Sequence, residues 1–353
     1  MQQDDPWSLG AANKPAHDEP KTEAQAPGSL EEALLAMDHQ SAPVFAVLDG
    51  AQFDNLPQEL MMGDFVSRPL YLDRGDNNPE QIITAPHMVW LDERPEKITG
   101  RQPQETIPAL MTLIANRPAA VFWQCPAGAE ALYKHLRGIN VVLYPKAALP
   151  DYEEPQPAET DEIRRLEKPD THTLVLFRHA DANVLAQTLA AMSALEVARF
   201  YGPATSLIFA PVSDWANGQT WWRTDRPEDL PDPHRGHLRI SMETVGRTEG
   251  IRIQHNRRRI TAYLRRVAPD QTRSLDDATL DAMAGRYMSE AHAYGVRSEA
   301  AMGRWCFLQV VAGGRMSSQK EIADYVAVPD GRKTADERVR DLMAMVAFRA
   351  SRR

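Results

Sequence analysis

The sequence predicts an α/β lobe, with a mixed and partly parallel sheet flanked by helices, followed by an all-α lobe. Three observations carry this. From Val44 to Phe209 short apolar runs alternate with stretches of helical spacing, as in domains whose helices cover a sheet. After about residue 237 helical spacing alone remains. Third, Val121-Phe122-Trp123 is followed by 129–137 with Leu132 and Leu136 on one face, then Gly138 and Val141-Val142-Leu143-Tyr144. That order reads as a βαβ crossover, which joins parallel strands of one sheet.

Residues 1–29 are rich in Pro, Ala, Asp, Glu and Gly and lack apolar periodicity. Such a segment buries too little surface to offset its ordering entropy, so a disordered tail is expected. Ser29 then caps a short helix bearing Leu30, Leu34 and Leu35.

The α/β lobe spans 30–212, with strands expected at 45–48, 70–72, 88–91, 121–123, 141–144, 174–177 and 207–209. The first ends in Asp49 and Gly50, and a helical stretch follows. Strand ends of this kind hold ligands in α/β proteins. The competing reading makes Asp49 a turn residue that satisfies backbone donors, with Gly50 supplying backbone freedom. Residues 150–170 hold eight acids, three bases and four prolines, and an exposed acidic loop is expected. A helix over 182–200 starts at Asp181 as N-cap, lines Leu185, Leu189, Met192 and Leu195 on one stripe, and stops at Gly202-Pro203.

Residues 213–236, with Trp215, Trp221 and Trp222, form a connection to a helical lobe over 237–349. There Ser274 is the expected cap of a helix that carries Leu280, Met283, Tyr287, Ala291 and Tyr294 and ends at Gly295. Ser298 opens the next, with Met302, Trp305 and Val310. Ser318 with Glu321 and Thr334 with Glu337 read as capping boxes.

The chain has 353 residues and a net charge of −9, which argues against a surface built as a whole for nucleic acid. Two distant cysteines, Cys125 and Cys306, fit a reducing cytoplasm better than a disulfide framework or a structural zinc site. No apolar run reaches the length of about 18 residues that a membrane span needs. The N-terminus also lacks the basic-then-apolar layout of an export signal. A cytoplasmic protein is expected.

No nucleophile elbow, phosphate loop, dinucleotide fingerprint or zinc-protease motif occurs, and no cofactor or metal is expected. His234 and His237 lie three apart beside Asp232, but a metal site needs ordered backbone and a further ligand. Cys125 follows a strand, and His135 could serve it as a base; the alternative is a packed core thiol. Arg178, His179 and Asp181 could form a polar site, or Asp181 caps a helix and Arg178 neutralises it.

Residues 247–266 contain seven arginines and one acid. Wound as a helix, Ile253, Ile260, Tyr263, Leu264 and Val267 fall within a sector of about 100°. Arg258, Arg259, Arg265 and Arg266 fall opposite. The outward face is either solvated and paired with acids, or a protein-binding surface, or, less in keeping with the absence of interleaved aromatics, a nucleic-acid surface.

The segments "FAVLDGAQ" (45–52), "LYLDRG" (70–75), "APHMVWL" (85–91), "AGAEALYKHLRG" (127–138), "LVLFRHAD" (174–181) and "ARFYGPATSLIF" (198–209) follow one another in a telling order. Later come "AHAYGVRSEAAMGRW" (291–305) and "AGGRM" (312–316). Together they resemble the adaptor/chaperone proteins of bacterial type VI secretion, built on the domain of unknown function numbered 4123. The resemblance covers about residues 44–345 and rests on the order of the segments, not on any single one. The family reads arginine, two residues, then Asp-Pro; here Ala182 replaces the proline after Arg178 and Asp181, and 150–170 is longer than the family's turn.

The resemblance implies a non-catalytic protein of a Gram-negative cytoplasm that binds a cognate toxic effector and helps load it onto the VgrG spike protein. Asp49, Gly50, Arg178, Asp181, Tyr294 and Gly295 would then be structural. The effector would contact Arg252, Arg257, Arg258, Arg259, Arg265 and Arg266, with Trp215, Trp221 and Trp222 as exposed aromatics. The competing readings are a hydrolase using Asp49, Cys125 and Asp181, and a DNA-binding protein using the arginine helix.

Overall fold

The computed structural model describes residues 28–70, 79–115, 117–149, 171–216, 219–327 and 332–350. Nearly all of the expected tail, and the whole acidic loop 150–170, lie outside them. The described residues fall into two compact units, 28–251 and 252–350. The division lies inside a helix, later than the change of character at 237. The first unit has mixed sheets flanked by helices, and the second is all-helical.

In the first unit the elements are α1 (Leu30–Leu35), β1 (Val44–Leu48), α2 (Leu56–Met62), β2 (Ser67–Pro69), α3 (Pro79–Thr84), β3 (His87–Trp90), α4 (Pro103–Ile114), β4 (Ala120–Gln124), α5 (Ala129–Arg137) and β5 (Val141–Pro145). Then come β6 (His172–Leu176), α6 (Ala182–Thr188), α7 (Ala194–Tyr201), β7 (Ser206–Phe209), β8 (Trp222–Asp225) and β9 (Leu238–Arg239). Six strands form one sheet in the order β2-β3-β1-β4-β7-β8, with every pair antiparallel. A second sheet runs β6-β5-β9, with β5 antiparallel to β6 and parallel to β9.

The expected βαβ crossover is therefore corrected: β4 and β5 belong to different sheets. Both edges of β4 are taken by β1 and β7, so β5 has no place beside it. The parallel pair forms instead with β9, in a stretch whose character had changed to helical.

Continuous apolar runs arise here because the central strands are covered on both faces. Phe45, Val47, Met88, Trp90, Val121 and Trp123 face one core, which α5, α6 and α7 cover through Leu132, Leu136, Leu185 and Phe200. Their neighbours Val44, Ala46, Leu48, Val89 and Phe122 face a second core, covered by α1, α2 and α4 through Leu34, Leu56, Leu60 and Leu110. Alternation sends successive residues to opposite faces, and both faces are dry.

Several expected boundaries move. The strand expected at 70–72 is β2, ending at Pro69, and 71–72 lie outside the described residues. The helix expected over 182–200 is two helices. Ser193 and Glu196 exchange capping hydrogen bonds of 2.6 and 3.4 Å and start α7 afresh, which leaves Leu195 exposed. The stretch 213–236 is not only a connection, because β8 pairs with β7 at the sheet edge.

The second unit holds the later part of α8 (Met242–Val267), then α9 (Pro269–Thr272), α10 (Asp277–Ala293), α11 (Glu299–Val311), α12 (Lys320–Ala327) and α13 (Ala335–Ala350). Leu264, Leu280, Ala284, Ala291, Trp305 and Val339 are among its core residues. The cap of α10 is Asp276, which accepts from Thr279 N at 2.6 Å, rather than Ser274. Ser298 caps α11 as expected, and Thr334 forms its box with Glu337. Ser318 forms no box: its hydroxyl donates to the Arg315 carbonyl, and α12 starts two residues later.

Candidate functional site

The carboxyl end of β1 is where the sequence offered a choice between chemistry and scaffold. The chain leaves β1 at Asp49, whose backbone N–H donates to Ala119 O at 2.9 Å. The Asp49 side chain accepts from Ala51 N and from Gln52 Nε2, each at 3.3 Å, capping a short 3-10 turn. Arg178, just after β6, donates to the same carboxylate through Nε at 3.1 Å and through Nη2. That Nη2 also lies 3.3 Å from Asp181 Oδ2. The other oxygen of Asp181 accepts from Asn183 N at 2.8 Å and Val184 N at 3.3 Å as the N-cap of α6. Asp49, Arg178 and Asp181, 129 residues apart along the chain at the widest hydrogen-bonded step, thus form one polar clamp.

Both carboxylates are nearly buried, at 4% and 7% exposure, while the guanidinium reaches solvent. Burial pushes the Asp181 carboxyl above the usual aspartate range, and Arg178 partly opposes that shift. The Pro118 carbonyl, before β4, accepts from Gln52 Nε2 at 3.1 Å and from Ala182 N at 2.9 Å. The clamp therefore fastens the turn after β1, the turn before β4 and the start of α6. Every charged group in it is spent on another or on a backbone donor.

Gly50 is required here, for a reason other than the one expected. A Cβ would stand 2.4 Å from Ala85 O and 2.7 Å from the Thr84 carbonyl carbon. Its backbone is not left-handed. Close approach of two backbones, not conformational freedom, demands glycine.

Of the residues of the hydrolase reading, Asp49 and Asp181 meet through Arg178, and Cys125 stands apart from both. Val44 pairs with Gln124 and Leu48 with Ala120, so Asp49 and Cys125 leave this strand pair at opposite ends, roughly 20 Å apart at strand rise. Cys125 is buried, its thiol is pushed up by burial, and its Sγ lies 3.7 Å from the Gly128 and Pro203 carbonyls. His135 does not serve it: its Nε2 meets Phe200 O at 2.7 Å, Arg199 donates to its Nδ1, and burial depresses its pKa to about 4. His179 is buried against Asn140 Oδ1 at 2.6 Å, and burial holds its pKa down at about 3. Asp232, His234 and His237 are exposed, and no group of three or more metal-binding side chains occurs among the described residues.

The arginine helix exists, and its arginines divide. Arg252, Arg258, Arg259 and Arg266 are exposed, while Arg257 and Arg265 are half-buried. Arg257 Nε donates to Asp281 at 2.9 Å and Arg259 to Glu299 at 3.0 Å. Arg265 donates to the carbonyls of Thr272 and Leu275 and to Asp277, and Arg266 lies over the Tyr263 ring. These contacts tie α8 to α9, α10 and α11. The tryptophans expected as exposed aromatics are instead half-buried: Trp215 and Trp222 pack on one core of the first unit and Trp221 on the other. Tyr294 sets its ring edge-on to Trp305 at 5.4 Å, and Gly295, at φ 84°, turns the chain out of α10.

Three buried charges escaped the sequence reading. Glu93, fully buried, accepts from Val66 N, Arg101 N and the Arg101 guanidinium; these bonds outweigh burial and lower its pKa. Glu196 receives Ser241 N at 2.7 Å and the Thr244 hydroxyl at 2.5 Å, joining α7 to the start of α8. Arg338 donates to the carbonyls of Tyr325, Val326 and Lys333, closing the end of α12. Only Glu196 left a signal, the Ser193-x-x-Glu196 pattern.

No family model, curated protein or solved structure matches the chain. Among the described residues no helix is long and apolar enough to cross a membrane.

Proposed function

We propose that this chain is a non-catalytic cytoplasmic adaptor that binds a cognate type VI secretion effector and promotes its loading onto the VgrG spike. One observation carries the reading beyond the resemblance. Two of the segments that carry the resemblance bring Asp49, Arg178 and Asp181 to a single place, where they neutralise one another and cap backbone. A scaffold clamp of this kind explains why those residues mark the resemblance without performing chemistry.

The test is co-expression with the toxin encoded beside the gene, followed by size exclusion. Co-elution is expected, and a spike fragment added to the complex should join it. Separate elution at about micromolar concentration, where a specific complex of ordinary affinity forms, overturns the reading.

A further inference from the structure

Helix α8 is the stretch through which the described chain passes from the first unit to the second, at 251/252. It is fastened on either side of that division. In the first unit Ser241 N and the Thr244 hydroxyl donate to Glu196, and Arg247 Nε donates to Ala191 O at 2.7 Å. In the second, Ile260 and Leu264 enter the core and Arg257 donates to Asp281. Between the buried Thr244 and the buried His255 lie ten residues, none of them buried. A helix in a protein draws most of its stability from a packed face. For almost three turns α8 buries no residue.

The residues of that stretch weaken the helix further. Gly246 and Gly250 stand one turn apart, so the α-helical hydrogen bond from Gly250 N to Gly246 O has glycine at both ends. Neither glycine makes room for a neighbour, since an added Cβ would meet nothing within 4 Å, and neither has a left-handed backbone. Helical glycines of the second unit instead face side chains. A Cβ on Gly285 would stand 3.2 Å from Arg257 Cδ, and one on Gly303 would touch the Tyr263 ring at 3.8 Å. What Gly246 and Gly250 supply is backbone freedom, glycine being the weakest helix former after proline. Between them Thr248 donates its hydroxyl to Thr244 O at 2.8 Å, a back-bond that loosens and bends helices.

We propose that residues 246–250 are a hinge, at which α8 opens and bends so that the two units change orientation. Hinges are a few residues that absorb the backbone change while packed parts move as bodies. Both flanks have that character, one held by Glu196 and the other by the core of the second unit. Gly250 stands two residues before the second unit begins. A partner that touches both units then selects one bend from a range, and its affinity falls by the fraction of chains that hold that bend. The inference goes beyond the adaptor reading, and its test needs no effector.

Amide hydrogen exchange, read residue by residue, should run at least about tenfold faster over 248–254 than over 259–266 of the same helix. Gly246→Ala with Gly250→Ala should slow the first stretch about tenfold, or 1.4 kcal/mol, and leave the second unchanged. Both methyls enter open space, and far-UV circular dichroism checks that the variant folds. Spin labels then read the units themselves. One is placed at Met61→Cys in the first unit and one at Ala300→Cys in the second, both exposed positions, while the native Cys125 and Cys306 are buried. Double electron-electron resonance should give a broader distance distribution than a pair within the first unit, Met61→Cys with Asp229→Cys. It should narrow in the double alanine variant. Uniform exchange along α8, a wild-type distribution as narrow as that of the reference pair, or an alanine variant that changes neither readout overturns the hinge.

Discussion

Arg178 is the residue on which the strand-end clamp turns. Its loss leaves two nearly buried carboxylates facing each other, and Asp49 and Asp181 keep only backbone and amide donors. Removing one partner of a fully buried pair costs roughly 3–5 kcal/mol, and exposed pairs are worth far less. Arg178 is part-exposed, so Arg178→Ala should cost about 1–3 kcal/mol in urea unfolding at pH 7. Asp49→Asn should cost less and leave partner binding intact below the unfolding transition.

A pH dependence follows from the histidines. Burial lowers His87 and His135 to about 4 and His179 to about 3, against 6.5 for the free ring. A depressed histidine binds fewer protons when folded, so its stabilisation is whole above pH 6.5 and drains away as pH falls toward the folded value. Asp181, raised by burial, works in the opposite direction but only near the aspartate range. The histidines thus govern the interval from pH 7.5 to 5, with a loss on the order of 2 kcal/mol each by pH 5. The His87 ring nitrogens have no hydrogen-bond partner among the described residues. His87→Leu should therefore remove its share of the slope, and an unchanged slope would show that the ring is solvated.

At the scale of elements, glycines separate packing from conformation. Gly50→Ala drives a methyl into backbone at 2.4 Å and should cost about 1–3 kcal/mol, as overpacked cores do. Gly246 and Gly250 lie within α8 with nothing within 4 Å of an added Cβ. Alanine at each should raise stability by about 0.5–1 kcal/mol, since glycine weakens a helix interior; thermal unfolding of the three variants checks both signs. The same distinction explains what the sequence could tell. Five of the seven expected strands match β1, β3, β4, β5 and β7 within a residue or so, because unbroken apolar runs are conspicuous, and all but β5 are covered on both faces. The strand expected at 174–177 starts two residues earlier as β6. The strand expected at 70–72 ends at Pro69 as β2. β8 and β9, written Trp-Arg-Thr-Asp and Leu-Arg, carry charges and fell in an expected connection and an expected helical stretch, since their pairing is decided by a distant neighbour. Local order likewise could not say that β4 had no free edge, and the crossover was misread for that reason.

Across the whole molecule, a net charge of −9 coexists with an arginine-rich helix because the arginines find local acids and carbonyls. The sequence put Arg258, Arg259, Arg265 and Arg266 on one outward face, but it could not distinguish an exposed arginine from one, like Arg265, that closes a neighbouring helix. The hydrogen bonds do, and the consequences separate in a paired experiment. Arg265→Glu strips donors from the Thr272 and Leu275 carbonyls and sets a carboxylate against Asp277. It should cost about 2–3 kcal/mol of stability, the scale of a lost charge-assisted network. Arg252→Glu and Arg266→Glu, both at exposed positions, should change stability by no more than about 0.5 kcal/mol. Whether that outer face meets the effector is then a kinetic question. Stopped-flow association measured at about 50 and about 300 mM salt spans Debye lengths of roughly 14 to 6 Å. A contributing face gives slower association for the Arg252→Glu/Arg266→Glu chain at low salt and converging rates at high salt, because charge steers encounter more than it sets final affinity. Rates that coincide at both salts would show that Arg252 and Arg266 take no part in steering the effector.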